Sequence, residues 1–140
     1  MVAVSRGMLY FIAVFSFAFV MGVLRTLVVA PRVGELVAVG IELPIVLIAS
    51  WFVARRLLRR HPLPLPQRLV MGGVAFLLLM ASEALLSFLM RGEGVAEWAA
   101  SLVVLPGLLG LLGQVGFALV PALAGRSGSA NPELSGSRNG

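Results

Sequence analysis

Residues 68–90 read RLVMGGVAFLLLMASEALLSFLM, an apolar run with Arg68 at its head, Arg91 immediately after it, and Glu83 alone in its interior. A helix rises about 1.5 Å per residue, so about 20 apolar residues cross a hydrocarbon core about 30 Å thick. Three other stretches pass the same test, 8–30, 36–54 and 98–122. The sequence therefore predicts an all-α, polytopic membrane protein, a four-transmembrane-helix up-down bundle formed by residues 1–124 as one domain. The tail, 125–140, is rich in Ser, Gly, Asn and Arg. It has no apolar face to bury and is expected to be disordered.

Composition supports this and excludes much else. Hydrophobic residues make up 59% of the 140 and charged residues 12%. A water-soluble domain carries about 25% charged residues. The absence of cysteine excludes a disulfide framework, thiolate metal sites and a cysteine nucleophile. His61 is the only histidine, which leaves no two-histidine haem or zinc site within the chain. No phosphate-cradling glycine loop and no nucleophile paired with a base occur, so no enzyme activity and no cofactor are expected. The net charge of +5 does not point to nucleic acid, because the arginines flank apolar spans instead of forming a soluble stripe. Every basic residue is Arg and every acid is Glu. The absence of Lys reads as the codon bias of a GC-rich, bacterial genome.

The arginines also orient the chain. Arg6, Arg55, Arg56, Arg59, Arg60, Arg68, Arg126 and Arg138 lie on one side, against Arg25, Arg32 and Arg91 on the other. The acids run the opposite way, with Glu35, Glu42, Glu83, Glu93 and Glu97 in the outer half and Glu133 inside. The inner side nets +7 and the outer −2. Both termini and the central loop, 55–67, are therefore expected in the cytoplasm of a bacterium, with the bundle in its inner membrane. Val28-Val29-Ala30 suits a signal-peptide cleavage site, but the apolar run before it is too long, so the first span is expected to be retained. Short connections predict that consecutive helices are antiparallel neighbours. Pro31-Arg32-Val33-Gly34 reads as a tight turn and the His61-to-Pro66 stretch, with alternate prolines, as extended.

Charge inside a bilayer is costly, about 2.5–3.5 kcal/mol per residue on insertion scales. Arg25, Glu42 and Glu83 each fall inside a span, at depths of roughly 8, 9 and 10 Å from the outer ends at about 1.5 Å per residue. Three helices thus place charge in one layer. An Arg fork can bridge two carboxylates. The cluster reads either as a polar clamp fixing three helices in register or as a proton or cation site. Glu35 shares a helix face with Glu42 and is expected to pair with Arg32. Pro44 is expected to kink or loosen the helix beside Glu42.

The fourth span carries Gly107, Gly110, Gly113 and Gly116, a smooth band for close helix packing within the bundle or between two copies. Gln114, in the same helix, needs a partner for its amide. In the third span Gly72, Phe76, Met80, Glu83 and Ser87 share one face, expected inward. Arg55, Arg56, Arg59 and Arg60 extend the second helix into the interface, as an anchor to anionic lipid or a dock for an acidic partner. Trp51, Trp98 and Tyr10 fall near span ends as interfacial anchors.

Arg25 with Pro31 and Gly34, Glu42-Leu43-Pro44, Ser50-Trp51, Arg68-Leu69-Val70-Met71-Gly72 and Glu83 resemble the pattern of small four-helix bacterial inner-membrane proteins of uncharacterised activity. The resemblance covers most of 10–122 and implies no reaction. In size and span count the chain is also similar to small multidrug-resistance exporters. Those carry an essential Glu in the first span, where this chain has Arg25. The function expected is a structural or accessory subunit or assembly partner of a membrane complex, with lipid and a larger complex or a homodimer as partners. The alternative is a small proton-coupled transporter or permease using Glu42 and Glu83.

Overall fold

A computed structural model describes residues 1–125, and among these every regular element is helical. The expected tail, 125–140, lies outside the described residues apart from Gly125. The first span is α1 (Val2–Leu24), a π-helical segment at Arg25–Val29, and α2 (Ala30–Val33). The helix therefore runs through Pro31 and does not end there. Proline removes an N–H and its ring crowds the carbonyl four residues earlier. The wide turn just ahead of it, with the Ala30 N–H on the Arg25 carbonyl, gives that ring room. The reversal falls on Gly34 alone, whose φ of 86° needs a residue without a side chain.

Helix α3 (Glu35–Arg60) passes Pro44 as one unbroken helix. Gly40 stands four residues before that proline, where bulk would be crowded most. Helix α4 (Leu65–Arg91) carries Pro66 in its first turn, where its missing N–H costs nothing, and ends on the left-handed Gly92. Among the described residues, four helices are long and apolar enough to cross a membrane: Val2–Val33, Glu35–Arg60, Leu65–Arg91 and Gly107–Ala124.

The fourth span departs from expectation. In place of one helix over 98–122 there is a short α5 (Val95–Ser101), an irregular stretch at 102–106, and α6 (Gly107–Ala124). Pro106 cannot donate to Leu102, and a residue before proline is pushed out of helical geometry. The chain tightens instead, with the Leu102 N–H on the Ala99 carbonyl at 3.3 Å. Gly107 then lets the Ser101 carbonyl fold back over it, in space a Cβ would fill.

Helices α1 and α6 each pack against both α3 and α4, while α3 and α4 face one another across the diagonal. Consecutive helices are thus neighbours in the first and last hairpins but not in the middle. The linker is long enough to permit this. From Arg60 to Leu65 an extended path at about 3.1 Å per residue covers about 15 Å. The diagonal of a four-helix square with sides of about 8–10 Å is about 11–14 Å. Prolines at 62 and 64 hold the chain extended enough to make that crossing.

The core is built at the end of the bundle that carries the arginine-rich linker. Tyr10 and Val14 meet Ala54, Met71, Ala75 and Phe117 there. Tyr10 is fully buried, so it is a core residue and not an interfacial anchor. Small residues let the backbones touch. Gly7 lies against the Met71 carbonyl and Gly72 against that of Ala118, each in a gap too small for a Cβ. The face of α4 read as inward is so placed: Gly72 and Ser87 are buried, and Phe76, Met80 and Glu83 half-buried.

Candidate functional site

The charged groups of the first two spans meet at the end of the bundle away from that linker. Arg25 opens the π-helical segment, and its Nε lies 2.7 Å from Glu42 Oε2 on α3. Its Nη1 lies 3.7 Å from Glu35 Oε1. Glu35 and Glu42 are two turns apart on one face of α3, so one guanidinium spans both. Gly22, on the facing surface of α1, lies beside the carboxylate; a Cβ there would stand 3.7 Å from Glu42 Oε1, an ordinary contact. The side chains of Arg25 and Glu42 are 24% and 17% exposed, against 67% for Glu35. The inner pair is thus largely sheltered and Glu35 is its open rim. Glu35 pairs with Arg25 and not, as expected, with Arg32.

The structure does not bring Glu83 to Arg25. Its polar neighbour is the Gln114 amide on α6. Helix side chains lean toward their own N-terminus. Helices α4 and α6 run in opposite directions, so Glu83 and Gln114 lean toward each other and meet. Gln114 is buried, and among the described residues its Oε1 has no hydrogen-bond partner. The single charged layer read from the sequence is therefore two pairs. One is an ion pair between the first and second spans. The other is a carboxyl–amide contact between the third and fourth.

A third cluster was not read from the sequence. Ser87 Oγ donates to Glu93 Oε2 at 2.5 Å and accepts from Arg91 Nη2 at 3.0 Å. Arg91 and Glu93 lie 3.1 Å apart. The signal available was the four-residue spacing of Ser87 and Arg91, with Gly92 turning Glu93 back over the helix end. Glu97 accepts from the Gly94 N–H at 2.9 Å, which caps α5.

The glycine band of the last span divides by neighbour. Gly113 and Gly116 receive Leu43 and Leu47 of α3, one turn apart on each helix. Gly107 faces the end of α5, and Gly110 faces open space. Pro44 leaves the helix beside Glu42 intact, so no unwound backbone adjoins that acid. At the opposite end Arg6 Nη1 donates to the His61 carbonyl at 2.5 Å and Arg68 Nη1 to the Ala122 carbonyl at 2.9 Å. Arg55, Arg56, Arg59 and Arg60 lie along the last turns of α3 and form no ion pair among the described residues.

No protein family, curated protein or solved structure matches this chain.

Proposed function

We propose that this chain is an integral protein of a bacterial inner membrane, with both termini cytoplasmic, serving as a structural or accessory subunit or assembly partner of a membrane complex. The observation that carries this reading is the pairing of Arg25 with Glu42 at 2.7 Å. An ion pair committed across two helices fixes their register, which is the work of a clamp. The asymmetry of arginine and glutamate between the two ends supports the orientation. Large apolar side chains such as Leu27, Ile48, Phe52, Leu77 and Leu112 cover the exterior, a surface suited to lipid or to other membrane helices. The test is purification of the full chain from its native membrane in mild detergent, with mass spectrometry of what accompanies it. A stoichiometric membrane partner is expected. A chain recovered alone, or only with itself, overturns the reading.

A second reading rests on a separate observation. Glu83 has no cation within ion-pair distance among the described residues, and its polar neighbour is the neutral Gln114 amide. An intramembrane carboxyl with no counter-cation, held only by the amide of Gln114, is a candidate for taking up and releasing a proton in a small proton-coupled transporter. Glu83→Gln in reconstituted vesicles discriminates. Loss of proton-driven flux with unchanged melting supports transport. Lowered melting with no flux in either protein supports a packing role.

A further inference from the structure

The described part of the linker end holds six arginines, and they are not alike. Arg6 and Arg68 are each hydrogen-bonded to a backbone carbonyl that ends a helix or begins the linker. Arg55, Arg56, Arg59 and Arg60 make no ion pair and no hydrogen bond to protein among the described residues. The carboxylates seen in the structure, Glu35, Glu42, Glu83, Glu93 and Glu97, offer them no partner. At about 100° per residue the four positions span an arc of about 140°, and Phe52, one turn earlier, falls near its middle. The five side chains line one surface hollow. Phe52 is 67% exposed, so its ring forms an open apolar floor.

Four guanidiniums confined to one arc repel each other unless an anion lies between them. Each can grip phosphate oxygens through two parallel N–H donors. The order along the helix is Phe52, then Arg55 and Arg56, then Arg59 and Arg60, an apolar step followed by two cationic ones. A phospholipid has that same order, from acyl chain to headgroup. We propose that this hollow binds an anionic phospholipid, its headgroup phosphate held among the four arginines and its acyl chain lying over Phe52. Pairs Arg55/Arg59 and Arg56/Arg60 each form a one-turn clamp, so a lipid with two phosphates, such as diphosphatidylglycerol, fits best.

The test uses the full chain in detergent micelles holding equal phosphatidylcholine and diphosphatidylglycerol, with native mass spectrometry as readout. The wild-type chain is expected to retain one diphosphatidylglycerol in preference to phosphatidylcholine. An interfacial Arg contributes about fivefold in lipid binding, so R56Q/R60Q is expected to lower retention about 25-fold. R56K/R60K keeps the charge but loses the two-pronged grip, and retention is expected to fall at least threefold. Phe52→Ala is expected to shorten the lipid's stay without changing the melting temperature. Equal retention of the two lipids overturns the proposal. So does an R56K/R60K variant that behaves as wild type, which would reduce the patch to surface charge. Inorganic phosphate or pyrophosphate that displaces the lipid at millimolar concentration, with Phe52→Ala silent, also overturns it in favour of a soluble anion.

Discussion

The Tyr10 hydroxyl donates to the Phe117 carbonyl at 2.9 Å, and Phe117 is the residue four before Pro121. In an unbroken helix that carbonyl would accept from the N–H at 121, which proline lacks. A side chain of α1 therefore supplies the bond that α6 cannot make for itself. The two rings stack, 4.6 Å between centroids and 9° from parallel, which holds the hydroxyl in place. A buried carbonyl left unpaired costs about 1–3 kcal/mol. Tyr10→Phe is expected to destabilise the bundle by that amount. Pro121→Ala should restore most of the loss in the Tyr10→Phe background, because Ala brings back the helix N–H. Unfolding of both single variants and the double variant in micelles measures this. Strictly additive effects would show that the two residues do not share the carbonyl.

Removing one member of the Arg25–Glu42 pair leaves a charge behind in a sheltered place. Breaking a fully buried pair costs about 3–5 kcal/mol. With 24% and 17% of these side chains exposed, about 1–3 kcal/mol is expected for Arg25→Gln or Glu42→Gln. The double variant should be no worse than either single one. The coupling energy from the double-mutant cycle is the measurement, and a value near zero would remove the clamp.

Glycines in this bundle should differ sharply in tolerance. A Cβ on Gly72 would overlap the Ala118 carbonyl, which is backbone and cannot rotate aside. Gly72→Ala must push α4 and α6 apart and is expected to cost about 1–3 kcal/mol. Gly73 and Gly110 have nothing within 4 Å of that position. Their Ala variants should be neutral, or gain up to about 1 kcal/mol from helix propensity. Melting temperatures of the three variants test the contrast, which disappears if Gly72→Ala melts with the wild type.

Arg68 caps the far end of α6 through the Ala122 carbonyl. Arg68→Ala is expected to release about 1 kcal/mol of local stability, or about fivefold faster amide exchange in the last turn of α6. Exchange at Val14 and Ala75 in the core should stay as it is. Equal acceleration everywhere would mean that Arg68 supports the whole bundle, not the helix end.

What could be read from the sequence was whatever depends on sums along the chain. The four apolar runs appear because hydropathy adds up over about 20 residues, and the inward face of α4 because the 3.6-residue period repeats through Gly72, Phe76 and Ser87. Arg25 and Glu42 were legible as partners because charge in an apolar run needs a counter-charge nearby. Quantities set between helices were not legible. The diagonal placement of α3 and α4 is not contained in loop length, since a short extended linker spans either an edge or a diagonal. Depth counted from the span ends puts Glu83 level with Arg25, but α4 borders both α1 and α6, and the side of α4 on which Glu83 sits, which depth does not give, decides that its neighbour is Gln114. Pro106 signals a kink in the last span, but the extent of the break at 102–106 is hidden because Leu102, Val103, Val104 and Leu105 are as apolar as any helix. Tyr10 was misread because the first helix begins at Val2, which places its side chain inside the core.

The bond between Tyr10 and Phe117 joins residues 107 positions apart. A ribosome adds roughly 5–20 residues per second, so the donor waits roughly 5–20 seconds for its acceptor to be made. Over that interval the first three spans can be present, but the tyrosine hydroxyl lacks its acceptor on the last helix. The last helix is thus the one whose arrival closes the structure.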